Sequence, residues 1–366
     1  MKWFLAVTIA ALTLIVVSAQ KPLEIYVMDP EGGKAALWIA PSGETVLIDT
    51  GNPGERDHGR IREMFTAAGV SKIDYLISTH YHVDHVGGMQ EVVKQYPVGT
   101  FVDHGPTVEG PVAPNMREQV PGFQAAYAEL WKKAKHLVVK PGDILPVRGL
   151  DWRIVASAGA ALKTPLRGAP GAGQPNSTCA QTQRKPDGPE PDDNGQSVGS
   201  VVTLGRFRAA DFGDLLWNKE IDLMCPNNPI GTVDLFMVTH HGLNVSNAPP
   251  LVLGLQPRVA IMQNGITKGA NVEVMQTLRS SPGLEDIWQL HWSYTAGIEH
   301  NAPGVFIANL EEPATLAERL TGPPSTVRPQ PHVPAYWIKV TANANGSFTV
   351  TNSRNNYSKT YAPRAN

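Results

Sequence analysis

Hydrophobic positions along the chain follow two different periods. Short apolar runs bounded by turn-forming residues, such as Leu23–Met28 and Thr45–Ile48, are typical of buried β-strands. Residues Arg56–Ala68 instead place Ile61 and Phe65 on one helical face, and a glycine follows directly. The same patterns predict further strands at Ala35–Ala40, Ile73–Ser78, Val198–Leu204, Phe207–Ala210, Thr232–Val238, Arg258–Met262 and Ile287–Leu290, and further helices at Met89–Gln95 and Gly122–Lys135.

Both halves of the chain are rich in strands and both carry helices. This arrangement predicts an α/β (α+β) fold in which two sheets lie between layers of helices, in one domain over residues 20–310. Residues 164–197 are crowded with proline, glycine and polar residues, and they predict a long surface insertion. Residues 311–366 predict a Pro-rich linker followed by a β-hairpin, formed by Ala335–Val340 and Ser347–Thr351 and packed on the domain.

The first residues have the features of an export signal. Lys2 supplies a positive charge, an apolar run follows, and Val17-Ser18-Ala19 offers small residues for cleavage. Residues 1–19 are therefore expected to be a signal peptide, and the mature protein is expected in the periplasm or the medium without a membrane anchor. In such an oxidising compartment Cys179 and Cys225 either pair or remain as two buried thiols.

Composition narrows the class of protein further. Charged residues are only 17% and hydrophobic residues 42% of the chain, which excludes a coiled coil and a disordered chain. The formal net charge of −2 gives no general attraction to nucleic acid or to anionic membranes. We therefore expect a globular protein whose partner is a small-molecule or polymeric substrate.

Histidine and aspartate side chains are concentrated directly after a predicted buried strand. The segment Thr79–His85 reads Thr-His-Tyr-His-Val-Asp-His. Because side chains alternate along an extended chain, His80 and His82 point to the same side, and Asp84 and His85 project together where the chain turns. Neutral imidazole and carboxylate suit zinc, and also manganese or iron. The segment therefore predicts a site for one cation and a second cation beside it.

The cluster and its surroundings resemble the metallo-β-lactamase superfamily of αββα metallohydrolases. The segment Leu47–Gly51, which reads Leu-Ile-Asp-Thr-Gly, precedes the cluster as it does in that family. Further similar motifs follow in order at Asn194–Ser197, Phe212–Asp214, Val238–Gly242 and Gln263–Gly265. This order is most similar to the hydrolase domain of ComEC-type competence proteins and their exported, free-standing relatives. The resemblance covers roughly residues 23–300 and implies a four-layer sandwich.

The resemblance also implies roles for individual residues. Two divalent cations, zinc or alternatively manganese or iron, would be held by His80, His82, Asp84, His85, Asp214 and either His240 or His241. Asp214 would bridge the two cations, and His241 is favoured over His240 because it directly precedes a glycine. Asp49 would orient a ligating imidazole by accepting a hydrogen bond from its other nitrogen.

The third ligand of the first cation is open at this point. His104, at the end of a predicted strand, is favoured over His136, at the end of a predicted helix. Water is a further alternative, because ComEC-type relatives often depart from the superfamily pattern here. His291 follows a predicted strand and is flanked by aromatic residues, so it is expected either to line a substrate pocket or to be packed in the core.

These residues predict a metal-dependent hydrolase. Two cations would acidify a bridging water, and Asp84, His241 and His291 would assist catalysis as proton acceptor or oxyanion-stabilising groups. The ComEC-type resemblance favours a phosphodiester substrate, with nucleic acid unsupported by the charge of the chain. Hydrolysis of a lactone, ester or β-lactam, redox chemistry on iron, and an exported binding protein without catalytic activity are the alternatives.

Overall fold

The computed structural model describes residues 21–110, 119–186, 188, 191–311, 317, 321, 332 and 334–365. The predicted signal peptide, 1–19, and much of the predicted Pro-rich linker lie outside these residues. The helices of the described part are α1 (Glu55–Ala68), α2 (Val83–Val86), α3 (Met89–Gln95), α4 (Val120–Trp131), α5 (Trp217–Met224), α6 (Pro249–Leu255), α7 (Val272–Arg279) and α8 (Gly297–His300). None of the helices found in this part is long and apolar enough to cross a membrane.

Two nine-stranded sheets form the centre of the molecule. The strands of the first are β1 (Leu23–Val27), β2 (Ala36–Ile39), β3 (Thr45–Ile48), β4 (Ile73–Ile77), β5 (Val98–Asp103), β6 (Lys135–Val138), β16 (Ile338–Ala342), β17 (Phe348–Asn352) and β18 (Ser358–Tyr361). The strands of the second are β7 (Ile144–Leu145), β8 (Asp151–Ser157), β9 (Ala160–Ala161), β10 (Gly199–Leu204), β11 (Phe207–Asp211), β12 (Leu235–Met237), β13 (Val259–Met262), β14 (Asp286–His291) and β15 (Ile307–Asn309).

Each sheet has a parallel half. The first sheet has the order β18-β17-β16-β1-β2-β3-β4-β5-β6, in which β3 to β6 run parallel. The second has the order β15-β14-β13-β12-β11-β10-β8-β7, with β9 paired to β8, and β11 to β15 run parallel. The carboxyl ends of parallel strands in a sheet meet at one edge, where ligand sites are common.

Burial patterns show why the strands form layers. In β3, Val46 and Ile48 face the core between the two sheets, whereas Leu47 faces a core shared with Phe65 of α1. The outer face of the second sheet is covered in the same way by α5, α6 and α7, for example through Leu251. Strands buried on both faces read as continuous apolar runs. The predicted αββα sandwich is confirmed.

Several predicted boundaries differ from the structure. The helix predicted at Gly122–Lys135 ends at Trp131, and the following residues form β6, so His136 lies in a strand. The strand predicted at Thr232–Val238 covers only Leu235–Met237. At the C-terminus the hairpin strands are displaced by one to three residues toward the C-terminus, and β18 adds a third strand. These strands extend the first sheet, because β16 pairs with β1.

The segment from 164 to 197 is tied to the body of the protein. Backbone amides of Leu166 and Gly173 donate to the carbonyls of Pro229 and Asn228, at 2.8 and 2.7 Å. The disulfide Cys179–Cys225 joins the segment to the end of α5. Of the two sequence alternatives for the cysteines, the structure shows the paired one.

Removal of this disulfide is expected to destabilise the protein. The bond closes a loop with a sequence separation of 46 residues. Such a crosslink lowers the entropy of the unfolded chain and so raises the free energy of unfolding by about 2–4 kcal/mol. A Cys179→Ser/Cys225→Ser variant is therefore expected to unfold at lower urea concentration than the wild type. Treating the wild type with a reductant should reproduce the shift and leave the variant unchanged. Coincident unfolding curves for the oxidised wild type and the variant would contradict this expectation.

Candidate metal centre

The candidate ligands lie after the carboxyl ends of strands in both sheets. His80, His82, Asp84 and His85 follow β4 of the first sheet. In the second sheet Asp214 follows β11, and the pair His240 and His241 follows β12. Since β11 and β12 are parallel neighbours, their ends lie side by side. The fold thus brings three distant segments of the chain to one place.

Four of these side chains form one buried group. The ligand atoms of Asp84, His85, Asp214 and His241 all lie within 4.8 Å of one another. Asp214 is at the centre of the group: its Oδ2 is 3.2 Å from Nε2 of His85 and 3.2 Å from Nε2 of His241. Asp84 Oδ2 is 3.3 Å from Nε2 of His241. Two carboxylates and two imidazoles at this separation form a donor set for a divalent cation.

The tautomer of His240 leaves a lone pair directed at a carboxylate. Its Nδ1 is 3.0 Å from Ser246 Oγ, and that hydroxyl donates its proton to the carbonyl of Leu215. Nδ1 of His240 must therefore donate, since the hydroxyl has no other proton to give. Burial lowers the pKa of His240 to about 4, so its Nε2 is unprotonated and faces Asp214 Oδ2 at 3.3 Å. His240 Nε2 and Asp214 Oδ2 are both acceptors and cannot bond each other, so a cation bound between them would satisfy both.

Hydrogen bonds behind the group fix the other imidazoles. His241 Nδ1 lies 3.1 Å from the carbonyl of Gln263, which can only accept, so Nδ1 donates and Nε2 faces the group. His85 Nδ1 lies 2.8 Å from Asp49 Oδ2, and the other oxygen of Asp49 accepts the backbone amide of Thr79. Asp49 therefore orients the His85 ring from behind.

Charge in the group also matches a cation site. Burial lowers the pKa of His85, but the Asp214 and Asp84 carboxylates outweigh it and raise that pKa to about 10. Burial likewise raises the pKa of Asp214, yet the imidazoles packed against it, with the protonated His85 among them, hold it well below its ordinary value. Without a cation, the proton on His85 partly offsets the negative charge of the two carboxylates. A cation that binds here would displace that proton.

The backbone at the histidine pair has an uncommon conformation. His240 and His241 both have positive φ, 53° and 56°, which non-glycine residues rarely adopt. Gly269 packs against them with a φ of +82°, and a Cβ there would lie 2.0 Å from the carbonyl oxygen of His241. Such strain persists where the surroundings enforce it, commonly at functional sites.

His80 presents a buried nitrogen toward the same region. Its Nδ1 is 3.2 Å from Thr79 Oγ1, whose proton is donated to Asp49, so Nδ1 donates and Nε2 carries a lone pair. That Nε2 is buried and has no hydrogen-bond partner among the described residues. Its ring centroid lies 4.1 Å from that of His85. An unpaired buried acceptor is costly, and a cation would satisfy it.

His82 lies in a second, more exposed group. Its Nε2 is 2.9 Å from Glu109 Oε1, and the ligand atoms of His82, Glu109 and Asp192 lie within 4.8 Å of one another. In the described part of the chain, the donors of His80, His82 and His104 do not form such a group. The role of His82 as a ligand of the first cation stays a prediction.

The two candidates for the third ligand lie in different environments. His104 is buried and packs on Tyr81, and its Nε2 is 3.3 Å from Asp193 Oδ2. His136 is on β6, where its Nε2 bonds Asp103 at 2.6 Å and its ring stacks on Trp131. The contacts of His136 thus hold it with its own strand neighbours, whereas His104 is bonded to the segment that ends the insertion.

His291 belongs to a separate cluster of charged groups. Its Nε2 is 2.6 Å from Asp29 Oδ1, and Arg60 bonds the other oxygen of the same carboxylate at 3.1 Å. His332 approaches Asp29 at 3.4 Å. His291 is therefore a buried partner of Asp29, and its catalytic role stays a prediction.

Several residues outside the predicted motifs contact the candidate ligands or their neighbours. Lys268, on the loop after β13, places its Nζ 2.5 Å from Asp84 Oδ2 and remains 39% exposed. Asp193 accepts the backbone amide of Tyr81, and Glu109 accepts the amide of Asp193. Asp211 is buried in an ion pair with Lys34.

Comparison with known proteins agrees with this site. Residues 30–175 match the model of the metallo-beta-lactamase superfamily, which covers the β4 cluster. This match covers less than half of the chain. A curated relative, the Beta-lactamase-like protein 2 homolog of Caenorhabditis elegans, is 29% identical over 63 residues, which is 17% of this chain and 21% of the relative. The chain thus matches about a fifth of that relative's length.

Solved structures give more distant similarities. A metallo-beta-lactamase from Cronobacter sakazakii aligns at 14% identity over 54% of this chain and 64% of its own, with a TM-score of 0.33. Igni18, a metallo hydrolase from the archaeon Ignicoccus hospitalis, aligns at 12% identity over 72% of this chain and 94% of its own, with a TM-score of 0.39.

Proposed function

We propose that this chain is an exported metal-dependent hydrolase that cleaves phosphodiesters. The observation that carries the proposal is the buried group of Asp84, His85, Asp214 and His241, whose ligand atoms lie within 4.8 Å of one another. Its members are the residue types that zinc, manganese and iron share as ligands. Zinc is the favoured cation, since imidazole and carboxylate in a compact set suit it.

The proposal assigns metal binding and proton transfer to particular residues. Asp84, His85, Asp214 and one or both of His240 and His241 would hold a divalent cation, and His80 and His82 would contribute to a second. When bound, divalent cations polarise a phosphoryl or carbonyl oxygen and lower the pKa of water, so that hydroxide forms near neutral pH. Asp84 is also the proposed proton acceptor, because its carboxylate faces the group and its side chain is 11% exposed.

Lys268 supports an anionic substrate. Its ammonium lies 2.5 Å from Asp84, and its side chain is 39% exposed, so it joins the buried group to solvent. A cation at this position stabilises the negative charge of a phosphodiester and of its transition state. The order of motifs, which resembles that of ComEC-type hydrolase domains, favours the same substrate class.

Export is supported by two features of the chain. The pattern of residues 1–19 is that of a signal peptide. The disulfide Cys179–Cys225 is of a kind that forms and persists in oxidising compartments.

A substrate panel tests the proposed reaction. We expect the purified protein to hydrolyse bis-p-nitrophenyl phosphate faster than a lactone or nitrocefin, and to lose that activity in EDTA and regain it on addition of zinc or manganese. Faster hydrolysis of the lactone or of nitrocefin would contradict the proposed phosphodiester substrate and indicate a carbonyl substrate. Failure to cleave any of the three, with metal bound, would leave a binding protein and overturn the proposal.

Variants of Lys268 test whether its positive charge selects an anionic substrate. Lys268→Met should lower kcat/KM for the phosphodiester roughly tenfold, the value of one charge-assisted hydrogen bond. Lys268→Arg, which keeps the charge, should retain most of the activity. An equal loss on the neutral lactone would show that Lys268 does not select for negative charge.

A further inference from the structure

A cavity lined with arginines lies at the opposite end of the second sheet. Its volume is about 440 Å³, and its wall includes Arg153, Arg167, Arg206, Arg208 and Arg364 together with Asp151. We refer to it as the arginine cavity. Arg206 directly precedes β11 and Arg208 is its second residue, whereas Asp214 of the candidate metal centre follows its end. Most of this strand of five residues, which spans roughly 17 Å at ~3.3 Å per residue, therefore lies between the two sites.

Strand register and two other segments assemble the cavity. Asp151 on β8 pairs with Thr203 on β10, and Thr203 pairs with Arg208 on β11, so these residues form one row across three strands. Arg167 is contributed by the segment before Pro170, whose carbonyl accepts the amide of Thr232 at 2.8 Å. The C-terminal Arg364 donates to the carbonyls of Val233 and Gln256. The positions of these arginines are therefore built into the fold.

The positive charges of the cavity are only partly balanced. Arg153 pairs with Asp151 at 2.6 Å, and Arg364 pairs with Asp234 at 3.2 Å. Within the described residues, Arg167, Arg206 and Arg208 have no carboxylate within ion-pair distance. None of these three guanidinium groups thus forms an ion pair in that part of the chain, although Asp234 and Asp151 act electrostatically on Arg208.

The positive charge of Arg208 is buried. It is 6% exposed, and its two terminal nitrogens donate to the carbonyls of Thr232 and Ile230, which are neutral. Burial lowers its pKa to about 10, so it remains charged at neutral pH. A buried guanidinium bonded to carbonyls keeps its full positive charge, and an anion in the cavity would offset the cost of that burial.

We infer that the arginine cavity is a binding site for a phosphate group, separate from the candidate metal centre. Arg167 on one segment, and Arg206 and Arg208 on another, surround the cavity with positive charge. Such a set matches a tetrahedral anion with several charged oxygens better than it matches a carboxylate with two. The wall also contains Leu166 and Pro170, which suit the less polar part of a phosphate ester. The same chemistry is offered by inorganic phosphate, by a phosphate monoester and by a polymer with several phosphates.

Calorimetric titration of the full-length protein in EDTA tests this site. Inorganic phosphate, phenyl phosphate and tripolyphosphate are the probes, and acetate is the monovalent comparison. We expect saturable binding of the phosphates and none of acetate, with the tightest probe showing whether the cavity prefers a free ion, an ester or a chain of phosphates. Chelation keeps this measurement independent of catalysis, so the proposed hydrolase activity can fail while the phosphate site stands.

Exposed arginines supply the variants. Arg206→Ala and Arg167→Ala should each weaken phosphate binding roughly tenfold or more, the value of a lost charge-assisted hydrogen bond. Arg148→Ala is the matched control: it removes the same charge from a side chain that is 74% exposed and outside the cavity, and it should leave the affinity unchanged. Equal weakening by Arg148→Ala, or lack of saturable binding to the wild type, would overturn the inference.

Discussion

The Asp84→Ala/His85→Ala variant is expected to lose both its bound metal and its hydrolytic activity. The double substitution removes two of the four donors of the buried group and leaves Asp214 with fewer imidazole partners. Loss of a hydrogen-bond partner behind a metal ligand already costs about 10–100-fold in affinity, so loss of two ligands should cost more than about 100-fold. Metal content after native purification and dialysis, measured by mass spectrometry, and kcat/KM on the phosphodiester are the two measurements.

A matched histidine control separates the metal centre from general loss of structure. His136→Ala removes an imidazole that bonds Asp103 on the neighbouring strand, and it should keep the metal content and most of the activity. Circular dichroism checks that the double variant remains folded. Wild-type activity of the folded double variant in the presence of a chelator would refute a metal-dependent reaction at this site.

The layered core could be predicted because its pattern is local. Strand β3 reads as a continuous apolar run, and the alternation of Val46, Leu47 and Ile48 between two cores explains that run. The extent of α4 could not be predicted in the same way. Its pattern continues past Trp131, but pairing of β6 with β5 takes residues from Lys135 onward into the sheet. Tertiary pairing decided a boundary that local periodicity left undetermined.

In the candidate site, too, local patterns could be predicted and tertiary contacts could not. The ligands that lie in short motifs, such as His85 and His241, could be singled out from the residue types and their spacing. Lys268 and Glu109 could not, because each is a single charged residue in a polar loop and only the fold places it against Asp84 or His82.

Packing between the two sheets is expected to dominate stability. Trp38 of β2 and Trp152 of β8 are fully buried and meet edge to face across the sheets, with ring centroids 5.3 Å apart. Trp38→Ala should lower the free energy of unfolding by about 3–5 kcal/mol, because it removes this contact and leaves a cavity between two rigid sheets. Urea unfolding followed by circular dichroism measures the change. Trp217→Ala, at a partly exposed site, is the control and should cost about 1 kcal/mol.

A Phe substitution at Trp38 distinguishes packing from hydrogen bonding. The indole Nε1 of Trp38 is buried without a partner in the described part of the chain, and so is that of Trp152. Trp38→Phe removes this unpaired donor along with part of the ring, so relief of the buried N–H offsets some of the lost packing. Its cost should therefore be well below that of Trp38→Ala. A loss as large as that of the alanine variant would mean that Nε1 has a partner, such as a buried water, between the sheets.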